Sequence, residues 1–325
     1  MKKIIWLLLL MVAQNGWGQN DEYGRLVELA DSFFMANDYL NSAFTLSAAF
    51  KVRGGWGNRK DRYRAGRSWA LAEYPDSAFY HLERVVVYGR YSDYDYISKD
   101  SRLVSLHKDE RWQALLECVS KNKAEVDAKL DKPLVAVLDS IQNSINQNLD
   151  LINILGQKHG YFSQAYQDHL QLIQKNVPLN ITIIQKILDS RGWPDEELIG
   201  LQGSQTIALV LEQADVETNE KYLPLLREAV KKRKQNPRIL EGLEDNYSLK
   251  KTGRQIYGSI FGFDPSTRQN FIAPLEDPDN VDKRRAELGL VPLAKFAKIG
   301  GVMWDVEQYK KDLPRLIEIN KNRRN

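Results

Sequence analysis

Seven polar and aromatic side chains in the second half of the sequence are the strongest candidates for a ligand-binding or catalytic site. They combine carboxylates, carboxamides, a guanidinium group and aromatic rings, a mixture typical of pockets that bind small polar ligands. In such a pocket Asp215 or Asp245 would serve as the general acid or base, and Arg254 with Tyr257 would hold an anion or oxyanion. The seven candidates are Trp193, Gln213, Asp215, Asp245, Arg254, Gln255 and Tyr257.

A structural explanation of this set is the one we favour, and it is specific for three of the residues. Trp193 lies between a glycine and a proline, where a large ring would close a junction between helices. Asp215 precedes a helical pattern and would cap it. Tyr257-Gly258 would mark a bend in a strand.

The rest of the chain predicts no metal and no cofactor. Its four histidines do not recur at metal-ligand spacing with cysteines, carboxylates or one another. Residues 200–204 lack the Gly-Lys-Ser/Thr ending of a phosphate loop, and no Gly-x-Ser-x-Gly nucleophile elbow is present. Glu276, Asp277 and Asp279 do not have the spacing of a calcium loop and are better explained as a helix N-terminus.

The first residues have the pattern of a secretory signal peptide. A basic start over residues 1–3 precedes an apolar run over residues 4–12, too short to span a bilayer as a helix, which needs about 20 residues. Small residues favour cleavage after Gly18; cleavage after Ala13 is the competing choice, and an uncleaved anchor is the alternative. We therefore expect a periplasmic or secreted protein.

The charge of the chain bears on whether it binds nucleic acid, and its cysteine content bears on whether a disulfide stabilises it. The formal charge of +3 falls to about +1 when Lys2 and Lys3 are removed, which gives no electrostatic reason to expect nucleic acid as a partner. Cys118 is the single cysteine and has no internal disulfide partner; its apolar helical neighbourhood predicts a small buried hydrophobe. No segment after the signal peptide is long and apolar enough to cross a membrane.

Apolar residues recur at spacings of three and four through most of the chain, which predicts helix after helix. Between residues 255 and 275 aromatic and β-branched residues flank Asp264-Pro265-Ser266, a pattern that predicts a small β-hairpin or extended pair. The predicted fold class is therefore mainly α, with helical hairpins first and a helical domain with a small β element second.

Residues 120–132 are polar and charged, and they either extend the preceding helix or form a linker. Pro133 then opens a strongly amphipathic helix, at a position that suits the first helical turn. The predicted divisions are a signal peptide (1–18), a helical repeat domain (19–130), a helical domain with a small β element (131–300) and a C-terminal tail or helix (301–325).

Residues 22–120 resemble the tetratricopeptide-like helix pairs of exported bacterial proteins. The resemblance rests on residues 38–44, on residues 75–82 and on the ending of the segment 91–112, with a spacing close to the 34-residue period of that repeat. The repeats are degenerate. The resemblance implies stacked helical hairpins that recognise a peptide or protein partner.

Residues 160–300 resemble a family known as domain of unknown function 6624. The carriers include Arg191-Gly192-Trp193-Pro194, Gln255-Ile256-Tyr257-Gly258 and residues 280–290. The resemblance implies no activity. This chain has Gln213 where the family favours histidine, and a carboxamide neither titrates near neutral pH nor binds soft metals well. The chain is then a non-catalytic member, or the motif is structural.

Two functions of different classes follow from these patterns. The favoured one is an exported protein-interaction or scaffold protein that recognises a peptide or protein partner through its helical repeats. The alternative is a cell-envelope hydrolase-like enzyme with its site in residues 190–260. The two are distinguished by whether the candidate side chains share one pocket.

Overall fold

The computed structural model describes residues 22–322, so the predicted signal peptide and both cleavage positions lie outside the described residues. The chain is mainly helical and carries a small two-stranded antiparallel sheet near its C-terminus, which confirms the predicted fold class. It divides after Ala128 into two compact units, and each is described by itself. None of the helices over residues 22–322 combines the length and apolar character needed to cross a bilayer.

The first unit is a succession of short helices joined by tight turns. Its elements are α1 (residues 22–35), α2 (Tyr39–Val52), α3 (Arg59–Leu71), α4 (Pro75–Glu83), a π-helical turn (Arg84–Tyr88), α5 (Tyr94–Ser98), a 3-10 helix (Ser101–Leu106) and α6 (Glu110–Asp127). Short polar side chains start them: Asp38 accepts the backbone N–H of Asn41, and Asn58 accepts that of Asp61.

The core of the first unit lies between these helices, with Leu46, Phe79 and Leu82 almost fully buried. Helices α3 and α4 approach closely at Gly66, where an added methyl group would meet the Leu82 side chain at 2.8 Å. Cys118 was predicted to be buried. It is half-buried and packs against the edge of this core.

Five helices form most of the second unit: α7 (Lys132–His159), α8 (Gln164–Arg191), α9 (Glu196–Glu212), α10 (Val216–Lys231) and α11 (Pro237–Thr252). Sequence periodicity predicts a break between helices over residues 163–175 and 179–190. The structure instead has one continuous α8 with Pro178 inside it. The hydroxyl of Thr182 donates to the Pro178 carbonyl at 2.8 Å, and Ile184 and Leu188 anchor the following turns in the core.

The C-terminal part of the second unit has a smaller core of its own. Strands β1 (Phe261–Asp264) and β2 (Gln269–Ile272) pair antiparallel, with Phe261 opposite Ile272. Helices α12 (Val281–Glu287), α13 (Leu293–Ala297) and α14 (Val306–Asn322) follow. Buried side chains from the strands and these helices pack together, among them Ile272, Leu293 and Tyr309.

Candidate functional site

Helix α11 buries a stripe of acidic and polar side chains. Glu241, Glu244, Asp245 and Ser248 are spaced by three and four residues and therefore share one face. All are at most 5% exposed. Acidic groups are almost never buried this deeply unless they are paired. Their partners come from the loop over residues 253–260 and from helices α10 and α12.

Asp245 holds the loop through its backbone. Its Oδ1 accepts the N–H groups of Ile256 and Tyr257, both at 2.7 Å, and its Oδ2 accepts the N–H of Ser259 at 2.7 Å. Burial raises the pKa of Asp245, and these N–H donors, which favour the charged form, oppose that rise. The side chain has no exposed surface, so its geometry suits an anchor better than a general acid or base.

Gln255 ties the same loop to the segment that directly follows strand β2. Its Nε2 donates to the carbonyls of Ile260 at 3.0 Å and Ala273 at 2.7 Å, and its Oε1 accepts the N–H of Ile260 at 2.9 Å. Its backbone also accepts from Glu276 and donates to Pro274. The carboxamide is fully buried and its hydrogen-bonding capacity is used within the fold.

Tyr257 points its hydroxyl back to helix α11. The O–H donates to Glu244 Oε2 at 2.8 Å, and Glu244 Oε1 accepts from the guanidinium of Arg227 on α10. Burial, followed by the negative charge of Glu244, raises the pKa of the Tyr257 hydroxyl. The phenol therefore stays protonated at neutral pH and acts as a hydrogen-bond donor.

A buried ion pair completes this arrangement. Arg285 on α12 is fully buried and donates to Glu241 Oε1 at 2.7 Å, to the Tyr257 carbonyl at 2.8 Å and to the Val291 carbonyl at 2.6 Å. Its neighbour Arg284 donates to the Ile256 carbonyl at 2.9 Å. We call this set the loop clamp: Glu241, Glu244, Asp245, Gln255, Tyr257, Arg284 and Arg285.

Of the seven predicted site residues, the structure brings Asp245, Gln255 and Tyr257 together in the loop clamp. Arg254 is adjacent, half-buried, and donates to the Leu275 carbonyl at 3.3 Å. The arginines of α12 were not among the predicted site residues, although they lie inside the motif quoted above for residues 280–290. That motif was the signal that could have found them.

The other three predicted residues make separate, local contacts. Trp193 is 7% exposed and belongs to the core formed by helices α7 to α11. Gln213 is exposed at the end of α9, where it donates to the Leu209 carbonyl at 3.2 Å. Asp215 is exposed and caps α10 by accepting the N–H of Thr218 at 2.7 Å, the interaction that most lowers the pKa of this carboxyl.

The second unit thus has a clamp rather than an open cleft at these residues. Two cavities of this unit, of about 580 and 470 Å³, are lined by other side chains, the first between β2 and α14 and the second between α7, α9 and α11. Among residues 22–322, no group of three or more His, Cys, Asp or Glu side chains is arranged to hold a metal ion.

A different site, which sequence reasoning missed, lies in the first unit. A cavity of about 490 Å³ opens between the α2–α3 turn and the π-helical turn after α4. We call it the arginine–aromatic cavity. Its lining residues are Gly54, Gly55, Trp56, Gly57, Arg59, Arg62, Tyr80, Arg84, Val85, Tyr88 and Gly89.

The glycine-rich turn that forms one wall is rigidly placed. Gly54 and Gly55 have φ angles of 60° and 87°, a left-handed conformation that favours glycine. The N–H of Gly55 donates to the Phe50 carbonyl at 2.8 Å and closes the end of α2. A methyl group on Gly57 would overlap the Phe50 ring. Trp56 is consequently held at the rim, 80% exposed.

Arg62 and His81 lie beneath this wall, and both are buried. The guanidinium of Arg62 donates to the Gly55 carbonyl and to Nδ1 of His81 at 3.1 Å. Because arginine has only donors, His81 must carry its proton on Nε2. Burial first, then the charges of Arg62 and Arg84, lowers the pKa of His81 to about 3. Histidine 81 is therefore neutral at physiological pH.

The π-helical turn supplies the other wall. Its wider spacing lets the N–H of Gly89 donate to the Arg84 carbonyl at 3.0 Å, and Asn122 of α6 donates to the Val86 carbonyl at 2.8 Å. Such turns occur frequently at functional sites. The guanidinium of Arg84 lies 4.5 Å from the Tyr80 ring centroid and 6.0 Å from that of Tyr88.

Because His81 is buried and neutral, we expect the free energy of unfolding to depend on pH. The unfolded chain binds a proton at the ordinary histidine pKa of 6.5, whereas the folded chain does so only at about 3. Stability contributed by this group is therefore present above pH 6.5 and is lost as the pH falls toward 3. Urea denaturation at several pH values between 6.5 and 4 gives the free energy of unfolding as a function of pH. We expect this free energy to fall less steeply with decreasing pH in His81→Gln than in the wild type, by up to about 1.4 kcal/mol per pH unit.

His107→Gln is the matched control, because His107 is exposed in the same unit. It should leave the slope of the free energy of unfolding with pH close to that of the wild type. Equal slopes for His81→Gln and the wild type would show that His81 protonates alike in both states.

Comparison with known proteins bears on the second half of the chain. Residues 171–306 match a family of unknown function (DUF6624). No curated protein and no solved structure matches the chain. The match confirms that the second half resembles DUF6624 over those residues. It contains the whole loop clamp and all seven predicted site residues, whereas the arginine–aromatic cavity lies outside it.

Proposed function

We propose that this protein is an exported binding protein that recognises a peptide or protein partner through its first, repeat-like helical unit. The observation that carries the proposal is the arginine–aromatic cavity. It presents Trp56 and Tyr88, each 80% exposed, beside arginine side chains. Aromatic rings and arginines are the residues most enriched among those that dominate binding energy at protein interfaces.

The form of the cavity supports binding more than chemistry. Its volume of about 490 Å³ suits a few side chains of a partner. Among the described residues its lining has no carboxylate, histidine, serine or cysteine side chain, and these residues offer no pair of groups for general acid–base or nucleophilic catalysis. The left-handed backbone of Gly54 and Gly55 fixes the turn that carries Trp56, so less backbone entropy is lost on binding.

The alternative, a hydrolase-like enzyme with its site in residues 190–260, has less support. Its acid/base candidates were Asp215 and Asp245. Asp215 caps a helix at the surface. Both carboxylate oxygens of Asp245 accept hydrogen bonds from backbone N–H groups inside the fold. Arg254 and Tyr257 do not form an oxyanion site in this structure. Arg254 donates to the Leu275 carbonyl, and Tyr257 donates to Glu244.

Site-specific photo-crosslinking in cells that produce the full chain tests the proposal. A photoreactive phenylalanine analogue replaces Trp56 or Tyr88 at the cavity, and Tyr74 serves as the control because it is 49% exposed and does not line the cavity. We expect both cavity positions to yield a covalent adduct with the same polypeptide and the control position to yield none. Adducts that are absent, or identical at all three positions, would contradict the proposal.

A further inference from the structure

The described residues around the arginine–aromatic cavity do not balance its positive charge. Arg59, Arg62 and Arg84 line it, and within residues 22–322 no aspartate or glutamate does. Within the described residues, neither Arg59 nor Arg84 forms an ion pair, whereas arginines elsewhere in the first unit do. Those paired examples are Arg64 with Asp31 and Asp61, Arg67 with Asp100, and Arg111 with Asp76 and Asp109.

This lack of balance has a measurable electrostatic consequence. Burial, and after it the charge of Arg84, lowers the pKa of Arg62. Arg62 and Arg84 therefore repel each other in a partly buried space. An anionic group that enters the cavity would relieve this repulsion and accept hydrogen bonds from guanidinium forks, which match a carboxylate geometrically.

The aromatic rings define the second part of the ligand. Trp56, Tyr80 and Tyr88 surround the cations, and each is at least half exposed. Large rings left this open favour burial against apolar groups of a ligand. The cavity therefore suits an anionic group that lies next to an apolar body, as in a peptide that combines acidic and aliphatic side chains.

The overall charge of the unit favours a peptide over a nucleic acid. Residues 22–128 contain equal numbers of acidic and basic side chains, so the unit has no net positive charge of the kind that favours binding to a phosphate backbone. In the arginine–aromatic cavity the charged residues of the described lining are all basic. Such a local excess fits a short acidic segment.

We propose that the arginine–aromatic cavity binds an acidic segment of a partner protein, with aspartate or glutamate carboxylates accepting from Arg59 and Arg84 and an adjacent apolar side chain packing on Trp56 and Tyr88. This inference rests on the function proposed above and names the chemistry of the partner. It assigns Arg59 and Arg84 to ligand contact and Arg62 to the floor that positions the glycine-rich turn.

The test uses the full chain and a fluorescent peptide that alternates glutamate with leucine. Its matched control peptide carries glutamine in place of every glutamate. We expect saturable binding of the acidic peptide in fluorescence anisotropy and at least about tenfold weaker binding of the glutamine peptide, with the affinity falling as salt is added. Equal binding of the two peptides would overturn the proposal, as would tighter binding of a single-stranded oligonucleotide.

The variants place the interaction at the cavity. Arg84→Gln changes an exposed residue, so it should fold normally and weaken binding of the acidic peptide by about tenfold. Arg111→Gln removes a guanidinium that already pairs with Asp76 and Asp109 and should leave binding unchanged. If both variants bind alike, the acidic segment does not lie at Arg84 and the proposal is wrong.

The crosslinking experiment keeps the two proposals separate. If a partner is captured at Trp56 and the attached segment is acidic, both proposals hold. If a partner is captured through a segment without carboxylates, the binding function stands and the acidic class is wrong. If no partner is captured and the acidic peptide fails to bind, both are wrong.

Discussion

Replacing Asp245 with alanine is expected to lower the free energy of unfolding of the second unit by about 3 kcal/mol or more. The substitution leaves the N–H groups of Ile256, Tyr257 and Ser259 without their acceptor in a buried setting. Each buried donor without a partner costs about 1–3 kcal/mol. Urea denaturation measures the loss, and hydrogen exchange of these three amides should accelerate with it.

Two variants make the Asp245 experiment specific. Asp215→Ala removes an exposed helix cap and should cost only about 1 kcal/mol. Asp245→Asn keeps one oxygen acceptor and should fall between the wild type and Asp245→Ala. If Asp245→Ala unfolds at the same urea concentration as Asp215→Ala, the carboxylate does not hold the loop.

Replacing Arg285 with methionine is the second substitution with a large expected effect. Arg285 is fully buried, and its removal leaves Glu241, 3% exposed, without its cation. Burial already raises the pKa of Glu241, and the charge of Arg285 opposes that rise. Breaking a buried pair by removing one partner typically costs about 3–5 kcal/mol. We expect a loss of that size in urea denaturation.

The double variant separates charge from packing. Adding Glu241→Leu to Arg285→Met removes the isolated carboxylate and should recover part of the lost stability, although the carbonyls of Tyr257 and Val291 still lack their donor. Lys283→Met is the matched control on the exposed side of the same helix and should change little. A double variant less stable than Arg285→Met would contradict this account of the ion pair.

Both predictions concern the region that matches DUF6624, and together they give its motifs a physical role. The segment Gln255-Ile256-Tyr257-Gly258 has irregular backbone, so its N–H and carbonyl groups cannot satisfy each other as they would in a helix. Asp245, Gln255 and Arg285 supply the missing partners. The polar residues of these motifs are therefore explained by how the loop is held.

The helices were predictable because their signals are local. Pro133 predicted the start of α7 and the apolar spacing over residues 134–152 its amphipathic character, and Asp215 was predicted to cap α10. The continuous α8 was not predictable. Pro178 disfavours a helix locally, and only the packing of Ile184 and Leu188 against other helices offsets its missing N–H.

The candidate site was only partly predictable for a related reason. Asp245, Gln255 and Tyr257 come together in the structure, and they also lie within 12 residues of one another in sequence. Trp193 was grouped with them as well, but its ring belongs to the helical core. The arginine–aromatic cavity was missed because the glycine-rich segment from Gly54 to Asn58 indicates, from the sequence, only a break between two helices.

By itself the sequence determined the helical character, the small hairpin near Asp264 and the lack of an internal disulfide, because periodicity, turn residues and cysteine number depend on neighbours along the chain. Only the tertiary structure decided that Arg62 and Arg84 share a cavity whose described lining has no carboxylate, and that Arg285 pairs with Glu241. Such pairings join residues from different helices. They depend on how those helices pack, which no local pattern of residues specifies.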